Sequence, residues 1–490
     1  MRSLEAVVAD GLALCSPREG ACAERAVKKT LRCATRSSLI THNQQRLAVA
    51  SAIYGVTAQR ATLAHLCARA GLEGEACGSA AARRRLADAR LLALFLLHGS
   101  PHRISRPQIL AVLDPSMIVC THDLARIKAL DPATVRWPTR RIPRLALQYS
   151  LPTALVRLWA SVLPLQEVET LAAACSLPGV VTLRANTMRC SRDELASQLR
   201  EDGLIVSEGS LSPTALRLQG GREAWGGSVW SLRQWSAGWF ELQDEGSQFI
   251  AHATRATHGE HVLDMCAGNG GKSLALAAMV GARGRVTAHD VVHTRLRALQ
   301  ASSVRAGVSS QVDALHTYTR LTIVDLVFGS NEEAHGESLR EHFRSRSRPD
   351  VVLVDAPCTS SGVIRRHPGL RWSKQWAGTS QAAKDARALP LLQRRLLVDA
   401  ASLLRDGGRL VYATCALERS QNEHVAEWFE QHFPGFEPLP FDDAFVFWLA
   451  ACRYFFPLRA ALLIIRCFFA SLLLQLAYQC LSASAPITEG

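Results

Sequence analysis

The sequence predicts an α/β protein: a doubly wound parallel sheet in the C-terminal half, preceded by an all-helical region and a small α+β module. Three observations carry this. From His261 onward short apolar runs alternate with helical ones, the pattern of a parallel sheet covered on both faces. From about Glu24 to Leu151 apolar and basic residues recur with a helical period. From about Pro152 to Gln243 one helical stretch leads into several short β-like runs.

In the first region, "AERAVKKTLRCATRSSLITHNQQRLAVASAIYGV" and "RRRLADARLLALFLLHGS" are helical, the second ending on a glycine stop signal. Their Arg and Lys residues suit a solvated face as well as an RNA-binding one. In the second region, "TALVRLWASVLPLQEVETLAAAC" is helical, "GVVTLRANT" is strand-like, and "SRDELASQLREDGL" is a helix. Ser191 followed three residues later by Glu194 predicts a capping box there. In the third, "HVLDMCAG", "GRVTAHD", "PDVVLVDAPC" and "GGRLVYATC" are strands, with helices at "KSLALAAMV", "HTRLRALQASSVRAG" and Lys384 to Asp406. The predicted divisions are residues 1–151, 152–242, 243–440 and an apolar tail at 441–490.

Composition narrows the function. At 490 residues, 48% hydrophobic and 20% charged, the chain is a folded protein of two to three domains rather than a disordered one. The net charge of +13, from 56 Lys and Arg against 43 Asp and Glu, favours a polyanionic partner. Fourteen cysteines are scattered without a Cys-x-x-Cys pair, which argues against a zinc site and a disulfide scaffold. His289 and His293 have the spacing of helical metal ligands but straddle a strand-to-helix loop, so no metal is expected. Glu5 and Asp10 interrupt the opening residues, which speaks against a secretory signal or a transit peptide and for a cytoplasmic protein.

In a doubly wound sheet the ligand sits beyond the carboxyl ends of the strands, and the chemically suggestive residues all fall there. "DMCAGNGGKS", residues 264–273, is a glycine-bearing strand-to-helix loop in which Gly268, Gly270 and Gly271 let the backbone approach a ligand. Its first glycine comes too late for a phosphate-binding P-loop, and it lacks Gly-x-Gly-x-x-Gly. An acid ending one strand (Asp264) and a second ending the next (Asp290) suit a ribose-bearing ligand without phosphates, such as S-adenosylmethionine.

Two further strands end in cysteines, Cys358 and Cys415. With "QDEGSQ" (243–248), "VLDMCAGNGGK" (262–272), "VDAPCTSSGVIRRHPGLRW" (354–372) and "YATCALERSQNE" (412–423) in this order, the chain resembles an RNA (cytosine-5)-methyltransferase of the Sun/Nop2 family. The likeness is nearest to the bacterial 16S rRNA enzymes and covers the catalytic domain over residues 243–440. It implies a Rossmann-like S-adenosylmethionine-dependent methyltransferase domain, with a NusB-like helical RNA-binding domain and a small RRM-like module before it. It also implies methylation of cytosine C5 through a covalent adduct. Cytosine C5 is a poor nucleophile until a thiolate adds at C6, after which C5 can attack the sulfonium methyl.

By the same resemblance Cys415 attacks, Cys358 assists elimination, Asp355 contacts the base near N3, and Lys272 reaches the base. The cofactor site would comprise Asp264, Cys266, Ala267, Gly268, Asn269, Gly270, Gly271, Lys272, Asp290, Arg295 and Asp355. An acid at its adenine end would be Asp313 or, in preference, Asp325. Arg365, Arg366 and Arg371 follow Cys358 where RNA phosphates would pass. The helical N-terminal region favours small-subunit rRNA, with tRNA as an alternative substrate. An inactive RNA-binding or ribosome-assembly factor is the reading from another class. No obligate protein partner is implied.

Asn269, Thr359 and Ala416 are mild departures from the family pattern, as is "TSSG" where "SGTG" or "SGSG" is usual. The tail is the larger one. In place of a closing Gly-x-Phe-Phe strand, residues 441–490 run apolar, and 467–488 carry no charge. That is long enough to cross a bilayer, which needs ~20 apolar residues. Arg453, Arg459 and Arg466 weigh against deep insertion, so residues 443–482 suit a membrane anchor, a buried helix or an unrelated extension.

Overall fold

The computed structural model describes residues 3–15, 23–72, 79–99, 106–177, 179–219, 229–316, 339–344, 346–376, 378 and 380–437. Asp325 and the whole apolar tail therefore lie outside the described residues. Among the described residues no helix is long and apolar enough to cross a membrane.

Helices Leu4–Leu14, Ala23–Arg36, Asn43–Arg69 and Ala80–His98 enclose one core. The helix Asn43–Arg69 runs through its middle, because the stretch Ala48–Ala58 is small or apolar on every side and is buried throughout. Gly55 lets that helix meet Phe95 closely: a Cβ there would run into the Phe95 ring. Helices Thr153–Ala160 and Leu165–Ser176 form a second cluster around Trp159, which also takes in Ile364 and Leu417.

The α+β module has strands β1 (Val181–Ala185), β2 (Val206–Glu208), β3 (Ala215–Leu218) and β4 (Phe240–Leu242) in the order β2-β3-β1-β4, with every pairing antiparallel. Its helix Arg192–Glu201 starts on the capping box: Ser191 Oγ accepts from the Glu194 N–H at 3.1 Å, and Glu194 Oε2 accepts from the Ser191 N–H at 2.7 Å.

The large sheet is parallel, with β5 (His261–Asp264), β6 (Arg285–His289), β7 (Val312–Leu315), β8 (Val351–Asp355) and β9 (Arg409–Ala413) in the order β7-β6-β5-β8-β9. Helices Glu245–Ala253, Gly271–Val280 and His293–Ala306 pack on one face; Gln381–Leu403 and Glu423–His432 pack on the other. Strands buried on both faces read as continuous apolar runs, which is why "VVLV" and "RLVYA" carry no alternation. The chain reverses its direction of winding between β5 and β8, so the crevice opens beyond Asp264 and Asp355.

The "QDEGSQ" segment is a junction. Gln243 Oε1 accepts from the buried Arg184 of β1 at 2.6 Å. Gln248 Oε1 accepts from Ser212 at 2.7 Å, and Glu245 pairs with Arg217 and takes the Leu211 N–H. Three side chains of one short motif thus tie the small module to the first helix on the large sheet.

Candidate active site

The strand-end loops converge beyond β5, β6, β8 and β9. Asp264 is almost fully buried; its Oδ2 accepts from Ser273 Oγ at 2.7 Å, while Oδ1 has no hydrogen-bond partner. Burial raises its carboxyl to about 6 against the pull of Ser273 and Lys272. A carboxyl raised in the fold binds its proton more tightly there than in the unfolded chain. Its contribution to stability therefore declines as pH climbs from about 4 to about 6 and stays low above that. Asp264→Asn should flatten that part of the pH–stability curve. Near pH 8 it should unfold at higher urea than the parent, by up to about 3 kcal/mol, with little difference near pH 4. Urea titrations at the two pH values test this.

The glycine loop turns with φ +57° at Gly268 and +87° at Gly270, left-handed values that suit glycine, and Gly271 starts the following helix. Asp290 fixes the loop: its Oδ2 accepts from the Gly268 N–H at 2.9 Å and its Oδ1 from the Val292 N–H at 2.7 Å. Arg295 reaches the same carboxylate at 3.4 Å. Ala267 and Asn269 complete the loop, and burial pushes the Cys266 thiol well up.

Lys272 projects from the first turn of the next helix and donates to Asp355 Oδ2 at 2.5 Å. Burial alone would lower the ammonium, but the Asp355 charge and hydrogen bond outweigh it and hold Lys272 protonated. Cys358 and Cys415 lie with Sγ atoms 3.2 Å apart, and Cys415 Sγ is 3.5 Å from Ser360 Oγ. The Cys358 contact lowers the Cys415 thiol, burial opposing it and Ser360 and Lys272 assisting; the same contact pushes Cys358 well up. The contact thus favours ionisation of Cys415 over that of Cys358.

A buried network holds the two cysteine loops in register. Glu418 accepts from Thr359 Oγ1 and Ser361 Oγ, each at 2.8 Å, and Ser361 Oγ accepts from the Leu417 N–H at 2.8 Å. Gln421 accepts from the Thr359 N–H at 3.1 Å, and Asn422 accepts from Thr414 Oγ1 at 2.6 Å. The sequence reading assigned no role to Ser273, Ser360, Glu418, Gln421 or Asn422. Glu418, Gln421 and Asn422 fall within the quoted 412–423 segment, whose run of charged and polar residues reads as an exposed turn.

Several expectations are corrected. Arg371 is 1% exposed and donates from Nη2 to the Cys175 carbonyl at 2.6 Å, so it braces the loop from within and faces no phosphate. Burial lowers its guanidinium to about 10. Arg366, 31% exposed, forms an ion pair with Asp244 of the junction motif and keeps part of its guanidinium open to solvent. Arg365 is half-buried on the same turn. Asp313 stands near the start of β7 and pairs at 2.7 Å with Arg285, the first residue of β6. It is therefore at the wrong end of the sheet for the adenine-end acid. His289 turns its Nδ1 to the Met265 carbonyl at 2.8 Å, and among the described residues no cluster could hold a metal ion.

The Arg371 correction is testable. Arg371→Met should cost about 2 kcal/mol of stability, since it strands the Cys175 carbonyl, yet leave the salt dependence of RNA binding unchanged. Urea denaturation and binding at two or more salt concentrations check both parts.

A family model described as 16S rRNA methyltransferase RsmB/F matches residues 251–442. A second, for the ferredoxin-like domain of RsmF/B-like methyltransferases, matches residues 151–224. The chain is similar to the probable ribosomal RNA small subunit methyltransferase B of Bacillus subtilis: 31% identity over 297 residues, 61% of this chain and 59% of that protein. It is also similar to the ribosomal RNA small subunit methyltransferase F of Salmonella agona, with 35% identity over 213 residues, 43% of this chain and 39% of that protein. The matches thus span three fifths or less of these relatives' length. The crystal structure of PH0851 has the same fold, at a TM-score of 0.64 and 21% identity over 90% of this chain and 92% of that one.

Proposed function

From a chain that belongs to the RsmB/F methyltransferase family through residues 151–224 and 251–442, we propose an enzyme that methylates cytosine C5 in RNA, with small-subunit rRNA as substrate. The observation that carries the reading is the thiol pair, Sγ atoms 3.2 Å apart at two strand ends that open on one crevice.

S-adenosylmethionine is the methyl donor of this family, and the crevice fits it. Asp264 Oδ1 is buried and unpartnered, and a Cβ at Gly268 would meet nothing within 4 Å, leaving room for a ligand against the backbone. Asp264, Gly268 and Asp290 would hold it. When bound, it supplies an electrophilic methyl group.

The chain's own residues do the rest. The Cys415 thiolate adds to C6 of the cytosine, and the ring electrons shift toward C5 and N3. Lys272 and Asp355, joined at 2.5 Å, stand where a proton or charge at the base edge can be met. After methyl transfer C5 must lose its proton and the Cys415–C6 bond must break. Cys358, held as a neutral thiol beside Cys415, assists that elimination: its proton passes to the departing Cys415 sulfur, and the Cys358 sulfur so freed takes the C5 proton. The basic N-terminal helices, which we read as a NusB-like RNA-binding domain, hold the substrate together with Arg365.

The direct test is transfer of label from methyl-tritiated S-adenosylmethionine to small-subunit rRNA, followed by digestion to nucleosides. Label in 5-methylcytidine is expected. Label in another nucleoside overturns the C5 reading, and label only in tRNA overturns the rRNA assignment.

A further inference from the structure

Ser360 has a backbone that its side chain does not favour. Its φ is +58° and its ψ +26°, in the left-handed region that a residue with a Cβ enters at a cost, and it caps the short turn Ser361–Val363. A glycine would occupy this corner without strain. The serine brings one thing a glycine lacks: a hydroxyl, 3.5 Å from Cys415 Sγ. Its neighbours lock the corner. Thr359 and Ser361 on either side are bonded to Glu418, and the Gly362 N–H donates to the Cys415 carbonyl at 2.9 Å.

We propose that Ser360 is a positioning residue for the reaction: its hydroxyl, which accepts from the Cys415 thiol at 3.5 Å, turns to donate to that sulfur once it ionises and holds it as the attacking partner of the pair. This deepens the reading of Cys415 as the attacking thiol and rests on it. The asymmetry of the pair agrees, since Ser360 acts on Cys415 through its side chain and on Cys358 through its backbone N–H. The groups that act on Cys415 are Cys358, Ser360, Asp355 and Lys272, with Asp355 opposing ionisation and the other three favouring it. Cys415 also packs against the apolar cluster that contains Trp159, Ile364 and Leu417. Within this set Ser360 is the one uncharged hydroxyl, so its loss changes the thiolate without changing the charge of the site.

The test reads the thiol directly and needs neither RNA nor methyl donor. The rate of Cys415 carbamidomethylation by iodoacetamide is measured by peptide mass spectrometry across pH 6 to 10 in the full chain, Ser360→Ala and Ser360→Gly. Both variants should alkylate Cys415 about three- to tenfold more slowly near neutral pH, with the rate profile displaced to higher pH. Ser360→Gly should also melt a degree or two higher, roughly, because it relieves the left-handed backbone. If only Ser360→Gly slows and Ser360→Ala matches the parent, the left-handed backbone and not the hydroxyl sets reactivity, and the proposal fails. It fails equally if both variants follow the parent at every pH. Because alkylation reports on the thiol alone, failure of the cytosine reading would appear in the labelling experiment and leave this result untouched.

Discussion

Cys415→Ser is expected to form no covalent RNA adduct and to lose turnover by about 10⁴-fold, whereas Cys358→Ser is expected to accumulate the adduct and release little product. A serine hydroxyl does not ionise near neutral pH, so at position 415 nothing can add to C6. At position 358 the attacking thiol is retained; the Cys358 contact that most favours its ionisation is replaced by a serine hydroxyl, and Ser360 and Lys272 still act in the same direction. The step that suffers is elimination, where Cys358 stood beside the bond to be broken. Denaturing gels of each variant with small-subunit rRNA and S-adenosylmethionine separate the two outcomes. An adduct that requires Cys358 and not Cys415 would reverse the roles, and adducts in neither single variant would end the covalent mechanism.

The second large effect concerns stability and catalysis together. Glu418 is 5% exposed and is the shared acceptor of hydroxyls from Thr359 and Ser361, so it joins the loop after β8 to the loop after β9. Glu418→Ala strands two buried hydroxyls and should cost about 3 kcal/mol. It should also slow adduct formation, because nothing then fixes the spacing of the thiols on which the Cys415 thiolate depends. Glu418→Gln keeps one acceptor oxygen and should cost nearer ~1 kcal/mol. Urea denaturation alongside the adduct rate checks both. A Glu418→Ala protein within ~0.5 kcal/mol of the parent would show that the network is not what holds the loops.

These two predictions differ in how far the sequence reached. Cys358, Cys415, Asp355 and Lys272 could be named from the chain alone because each lies inside a contiguous motif, and a motif is a local object. Asp264 and Asp290 were legible for the same reason: a strand followed by glycine and an acid has a local signature. The arginines after Cys358 were not. "VIRRHPGLRW" reads as a basic loop, yet Arg371 folds inward onto Cys175, nearly two hundred residues earlier, and Arg366 pairs with Asp244. Charge alone does not say which way a side chain points.

What the sequence by itself determined is the alternation of strands and helices that makes the parallel sheet, with the exception of β7, and the motifs at its strand ends. Periodicity and short motifs record these because they depend on neighbours within a few residues. Tertiary structure alone decided that two cysteines 57 residues apart meet at 3.2 Å, that Asp313 stands at the wrong end of the sheet, that Glu418 joins the two cysteine loops, and that Ser360 Oγ lies 3.5 Å from Cys415 Sγ. Such facts depend on which loops the sheet brings together and on the burial that follows. A hydroxyl or carboxylate acquires its partner, and a thiol its ionisation, only once water has been excluded from around it.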